Sequence, residues 1–167
     1  VRKQADADAL APAEGDLRPL MLDVTEPDSI AAAVATVESA LAGETLAGLV
    51  NNAGIAEMGP LAIQPMDTVR KHFEVNFFGY LRTTHAVLPH MRERGEGIVH
   101  NVSSGVGLVG HPGLSGYAAT KGAVEAFTRS LRLELRRENV WCTVMHPPLT
   151  RTRSALELGY PECLLSD

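Results

Sequence analysis

The chain has 167 residues, enough for one domain with a hydrophobic core and too few for two ordinary ones. Hydrophobic residues at 45% and charged residues at 21% sit near the averages for globular proteins, which disfavours disordered and fibrous classes. A formal net charge of -5, with 15 Lys and Arg scattered rather than clustered, argues against a nucleic-acid partner.

In chain order, Val1-Arg2 reads as the end of a strand and Ala5 to Ala13 as helix. The apolar run Arg18 to Val24 predicts a buried strand, and Thr25 to Asp28 supply cap and turn residues before Ile30 to Leu41, whose apolar spacing is helical. Leu46 to Val50 predicts the next strand, ending at Asn51-Asn52-Ala53-Gly54, where glycine permits a close backbone turn. Met66 to Arg94 repeats apolar residues three and four apart, predicting one long helix with Gly79 and Pro89 as points of bending. Gly97 to Val102 predicts a strand, Ser115 to Arg137 a second long helix, and Val140 to Met145 a last strand, with Trp141 read as a core residue. Strands alternating with helices predict an α/β fold: a doubly wound parallel sheet, three-layer α/β/α, with residues 1–167 forming one partial domain.

No run of about 18 apolar residues exists, and the N-terminus carries no apolar signal region, so no membrane span is expected. The two cysteines, Cys142 and Cys163, have neither metal-ligand nor redox spacing and are too few for a disulfide scaffold, which points to a reducing cytoplasm. The six histidines (His72, His85, His90, His100, His111, His146) show no metal-type clustering and read as structural. An opening without Met and an ending without a closing element suggest a fragment.

In doubly wound sheets ligands bind beyond the carboxyl ends of the strands. Asn51 to Gly54, Ser103-Ser104 and Pro147 to Thr152 each follow a predicted strand and so converge on one sheet edge. Tyr117 and Lys121, four residues apart, share a helix face, where an ammonium beside a phenol favours the phenolate and makes a usable proton donor.

Taken in order, Asn51-Asn52-Ala53-Gly54, Val75-Asn76-Phe77-Phe78-Gly79, Ser103-Ser104 and Tyr117-Ala118-Ala119-Thr120-Lys121 resemble the classical short-chain dehydrogenase/reductase family. Its members move hydride between a nicotinamide cofactor and a carbonyl or alcohol. The resemblance implies a Rossmann-like fold, here lacking the first βα unit with its glycine-rich phosphate loop. It implies that Tyr117 is the general acid/base, that Lys121 lowers the Tyr117 pKa and holds the nicotinamide ribose, and that Ser104 binds the substrate carbonyl. Asn76 would hold a proton-relay water, and Ser103 is assigned to structure. Asn52, Ala53 and Gly54 would lie along the adenosine ribose, while Asn51 ties strands together. Asp23 would accept from the adenine amino group, Val102 would line the nicotinamide face, and Pro147 and Thr152 would border the carboxamide.

Arg2 falls where an arginine meets a 2′-phosphate, which favours NADP over NAD; a solvated terminal arginine is the competing reading. One departure stands out: Pro148 occupies the place of the family's glycine, removing a backbone donor from the loop. Leu156, Leu158, Tyr160, Leu164 and Leu165 suggest an apolar lid and hence an apolar ketone or alcohol substrate. The two long helices resemble those through which family members pair, implying a homodimer or homotetramer. The resemblance thus implies an NAD(P)-dependent oxidoreductase; a non-catalytic remnant or binding protein of the same fold is the alternative. The Asn-Asn-Ala-Gly segment and the Ser-to-Tyr spacing count against an epimerase or dehydratase of the extended branch.

Overall fold

The computed structural model describes residues 1–10 and 16–150. Three strands, β1 (Gly48–Asn51), β2 (Gly97–Val102) and β3 (Val140–Met145), form a parallel sheet in that order. Helix α1 (Gln4–Leu10) precedes the described break, and α2 (Pro27–Leu41) leads into β1. The crossover from β1 to β2 holds α3 (Met66–Phe73), a π-helical turn (Glu74–Phe78) and α4 (Gly79–Arg94). The crossover from β2 to β3 holds α5 (Val106–Val109), α6 (Ser115–Glu134) and a 3-10 turn (Leu135–Arg137). Parallel neighbours need such crossovers, and each here is a helix laid back along the sheet.

The core lies between the sheet and one helical layer. Val87 and Met91 of α4 and Leu131 of α6 pack with Leu135 against Val99, Val140 and Cys142, with Val34 of α2 and Leu49 at the margin. The strands alternate accordingly: Val99 and Cys142 are buried, whereas Val50, Ile98, Trp141 and Met145 stand on the opposite face and are exposed. The parallel α/β architecture is as expected, but among the described residues that second face is open. Trp141, expected in the core, is 66% exposed because its register position points it away from α4 and α6.

The expected strand at 18–24 does not form as a ladder. Residues 17–23 run without regular structure, and among the described residues only Val1 makes ladder-like backbone bonds to them, its ammonium donating to Leu20 O (2.8 Å) and its carbonyl accepting from Leu22 N (2.8 Å). A strand needs a neighbour along its length. Between this segment and β1 lies instead an apolar cleft of about 680 Å³, lined by Leu20, Leu22, Ile30, Leu49, Val50 and Val87.

The helix predicted over Met66 to Arg94 is present, interrupted by the π-helical turn rather than by a glycine kink. Gly79 has a packing role: a Cβ there would sit 2.7 Å from Val24 Cγ2. Pro89 lies inside α4, and Ala5 to Ala13 forms helix as far as Leu10, the remainder lying outside the described residues.

A polar chain crosses the carboxyl end of the sheet. Asn51 and Asn101 are register partners on β1 and β2, and Asn51 Nδ2 donates to Asn101 Oδ1 at 2.8 Å. Thr83 Oγ1 donates to Asn51 Oδ1 (2.6 Å), and Asn101 Nδ2 donates to Thr128 Oγ1 (2.9 Å), so α4, both strands and α6 are joined. All four side chains are buried, where satisfied polar groups fix one register. Asn51 thus ties strands together, as its place at a strand end suggested.

Candidate active site

The site is built where β1, β2 and β3 end. Just past β1, the Asn52–Gly54 segment passes the π-helical turn, whose widened backbone carries Asn76. Asn76 is fully buried: its Oδ1 accepts from Ile55 N (2.8 Å), and its Nδ2 donates to Ile55 O (2.8 Å) and Thr120 Oγ1 (3.2 Å). It therefore joins the first loop to α6. A Cβ on Gly54 would stand 3.5 Å from Asn76 Oδ1 and 3.8 Å from Lys121 Nζ, so three motifs far apart in sequence meet within contact range.

Tyr117 and Lys121 lie one turn apart near the start of α6. Lys121 is 3% exposed and donates to Val102 O at 2.8 Å. Its Nζ lies 5.4 Å from the Tyr80 ring centroid and 5.8 Å from that of Tyr117. Burial pulls its pKa down from 10.5 to about 8. The Tyr80 hydroxyl donates to the same Val102 carbonyl (3.1 Å), and burial raises the Tyr80 phenol well above its ordinary value.

After β2, Ser103 N donates to Met145 O (2.8 Å) and Ser103 Oγ to Lys121 O (3.4 Å), a structural placement. Ser104 opens the turn into α5, its carbonyl accepting from Gly107 N at 2.9 Å. Gly107 then packs on α6, where a Cβ would come within 2.8 Å of Lys121 Cβ; only glycine lets the Ser104 turn dock so closely beside Lys121.

After β3, His146 Nε2 shares a 2.6 Å hydrogen bond with Glu125 Oε1. Glu125 is buried one turn beyond Lys121, so this pair anchors the start of the loop carrying Pro147. Neither residue stood out in the sequence. Thr152 lies outside the described residues, as do Leu156, Leu158, Tyr160, Leu164 and Leu165. Among the described residues, no helix is long and apolar enough to cross a membrane.

A second cavity, of about 430 Å³, is lined by Arg2, Asp23, Asn52, Ala53 and Gly54, together with Val1, Val24, Ile55 and Val75. Five residues picked from the sequence thus share one hollow. Asp23 Oδ1 accepts from Thr25 N (2.9 Å) and Thr25 Oγ1 (2.7 Å), which holds its carboxyl below the usual range, with Arg2 adding a smaller push.

A parallel α/β sheet with buried polar groups gathered beyond its strand ends defines an α/β protein of the doubly wound class, in which that edge is the ligand-binding one. A family model described as short chain dehydrogenase matches residues 2–160, and the chain belongs to that family. An uncharacterized oxidoreductase of Escherichia coli K12, YbbO, is 37% identical over 134 residues; the match covers 80% of this chain and 49% of that protein. The chain therefore spans about half the length of this curated relative, 49%. Among solved structures, a 3-ketoacyl-(acyl-carrier-protein) reductase from Brucella melitensis complexed with NADH has a TM-score of 0.85 at 28% identity, covering 93% of this chain and 66% of that one. A gluconate 5-dehydrogenase from Burkholderia cenocepacia in complex with NADP and tartrate has a TM-score of 0.85 at 26% identity, covering 98% and 65%.

Proposed function

We propose that the chain is the catalytic portion of an NAD(P)-dependent oxidoreductase interconverting a secondary alcohol and a ketone. The observation that carries this reading is the meeting of Gly54, Asn76 and Lys121 within contact range, with Tyr117 one turn from Lys121. Tyr117 gives its phenolic proton to the substrate oxygen in reduction and takes it back in oxidation. Lys121, charged below about pH 8, sits 5.8 Å from that ring and favours the phenolate that remains. Ser104, on its turn beside Lys121, holds the substrate oxygen in line.

The second cavity suits a nucleoside: Asp23 offers a carboxylate, Arg2 a guanidinium, and Asn52 to Gly54 a closely approachable backbone. A bound NADP or NAD supplies or accepts the hydride. Val102 and Pro147 flank the nicotinamide end in this reading, with Thr152 beyond them. Arg2 favours NADP. The substrate is a small, apolar ketone or alcohol, the compartment cytoplasmic, and assembly a homodimer or homotetramer through the two long helices.

The test is made on the protein expressed from its complete gene. Tyr117→Phe is expected to abolish reduction of a panel of apolar ketones while NADPH binding, followed by fluorescence, stays within about twofold. Retained turnover would overturn the role of Tyr117. Failure of the parent protein to bind either NADPH or NADH would transfer the reading to a non-catalytic protein of the same fold.

A further inference from the structure

The run after Gly54 has no regular structure, yet its backbone is held as a strand edge would be. The N–H groups of Ile55, Glu57 and Gly59, two residues apart, are all bonded: to Asn76 Oδ1 (2.8 Å), His72 Nε2 (3.0 Å) and Gly113 O (2.8 Å). The carbonyls of Ile55 and Glu57 accept from Asn76 Nδ2 (2.8 Å) and Gln64 Nε2 (3.1 Å). Side chains of one helical run and its preceding turn, with the Gly113 carbonyl from the loop before α6, thus stand in for a missing neighbour strand.

His72 is fully buried, one turn before Asn76, and its ring meets that of Tyr117 edge-on, with centroids 6.5 Å apart and planes at 80°. Since Nε2 accepts, the proton of the neutral ring is on Nδ1, which is buried and meets no hydrogen-bond partner among the described residues. An apolar side chain would fill this space without stranding a donor. What imidazole adds is an acceptor aimed at Glu57 N–H and a ring edge against Tyr117.

We infer that His72 is a positioning residue, which with Asn76 and Gln64 fixes the path of Ile55–Gly59 beside Tyr117 and so sets one wall of the substrate space. The substrate wall rests on Tyr117 being the proton donor; the clamp itself does not. Glu57, Lys71 and Tyr117 are the titratable groups around the ring, with Glu57 raising and Lys71 lowering its proton affinity and burial outweighing both.

The test compares His72→Leu and His72→Gln by amide exchange, using β2 amides as the control for the fold, and needs neither cofactor nor turnover. Glu57 exchange is expected to rise about tenfold or more in His72→Leu and to stay within about threefold of the parent in His72→Gln, whose amide oxygen restores the acceptor. Imidazole nitrogen spectra of the parent are expected to show a bare Nε2. The Tyr117 ring signal, assigned by its loss in Tyr117→Phe, is expected to move as His72 takes up a proton and to stay still in His72→Gln. Unchanged Glu57 exchange in His72→Leu with β2 protected, or a bare Nδ1, would overturn the clamp. If His72→Leu loses β2 protection as well, His72→Gln decides: Glu57 protection kept supports the clamp, and its loss with β2 intact overturns it.

Discussion

Lys121 and Tyr80 converge on one acceptor, the Val102 carbonyl oxygen, at 2.8 and 3.1 Å. The ammonium is thereby fixed between two tyrosine rings in a site dry enough to bring its pKa to about 8. Burying that charge costs stability. Because the folded-state value lies below the ordinary 10.5, the unfolded chain holds its proton more tightly, and stability falls as pH drops from 10.5 to about 8, then levels off. Lys121→Met is therefore expected to melt no lower than the parent near neutral pH, while losing any Tyr117-dependent turnover. The gap should close as pH is raised from 8 toward 10.5, read by thermal denaturation across that range.

Tyr80→Phe keeps the ring beside Lys121 and removes the hydroxyl. Val102 O retains its bond from Lys121, so the expected loss is small, about 1 kcal/mol. A urea titration with unchanged slope measures it.

The polar chain across the sheet end predicts a larger effect. Asn101→Leu removes the acceptor for one Asn51 Nδ2 hydrogen and the donor to Thr128 Oγ1; each buried atom keeps its second bond, to Thr84 Oγ1 and Val124 O, but loses one inside the core. A loss of roughly 2–4 kcal/mol is expected by chemical denaturation.

Gly79→Ala separates two opposing effects. Helix propensity alone would favour alanine by about 1 kcal/mol. The new Cβ, however, would fall 2.7 Å from Val24 Cγ2 and 3.0 Å from Val24 Cβ, and the clash is expected to win by roughly 1–3 kcal/mol. Adding Val24→Ala should relieve the clash, giving a double mutant more stable than the sum of the two single losses.

Acid should act through His72. Burial lowers its folded-state pKa below the ordinary 6.5, so its contribution is fully present above 6.5 and lost as pH falls from there through the folded value. His72→Gln should flatten that acid limb of the melting temperature, the stability of the variant changing less than that of the parent.

The strands at Gly97 and Val140 were legible because each combines an apolar run with a flanking turn, and the Tyr117–Lys121 pairing because helix periodicity fixes which residues share a face. The segment around Leu20 departs from its sequence pattern for a reason local pattern cannot contain: its apolar residues suit a strand, but a ladder depends on what stands alongside. An apolar residue in a parallel strand is usually buried, which is why the sequence points Trp141 to the core; its face becomes evident only when the coverage of each side is known. From sequence, His72 reads as an ordinary structural histidine. Its spacing of four from Asn76 was available as a signal, but the backbone donor it accepts from comes from a loop whose path no periodicity encodes. Thr83, Asn101 and Thr128 carry no sequence signal either, since small polar residues in apolar runs reveal their partners only in three dimensions.

The outward placement of Trp141 has a practical consequence, because it is the chain's single tryptophan. Its indole shares the open side of the sheet with Val50, Ile98 and Met145, so tryptophan emission, excited at wavelengths that spare tyrosine, reports on that side alone. Red-shifted emission that iodide quenches readily would signal a bare surface prone to self-association. A blue shift with loss of quenching would signal that another polypeptide surface has come to rest there, without any label having been attached.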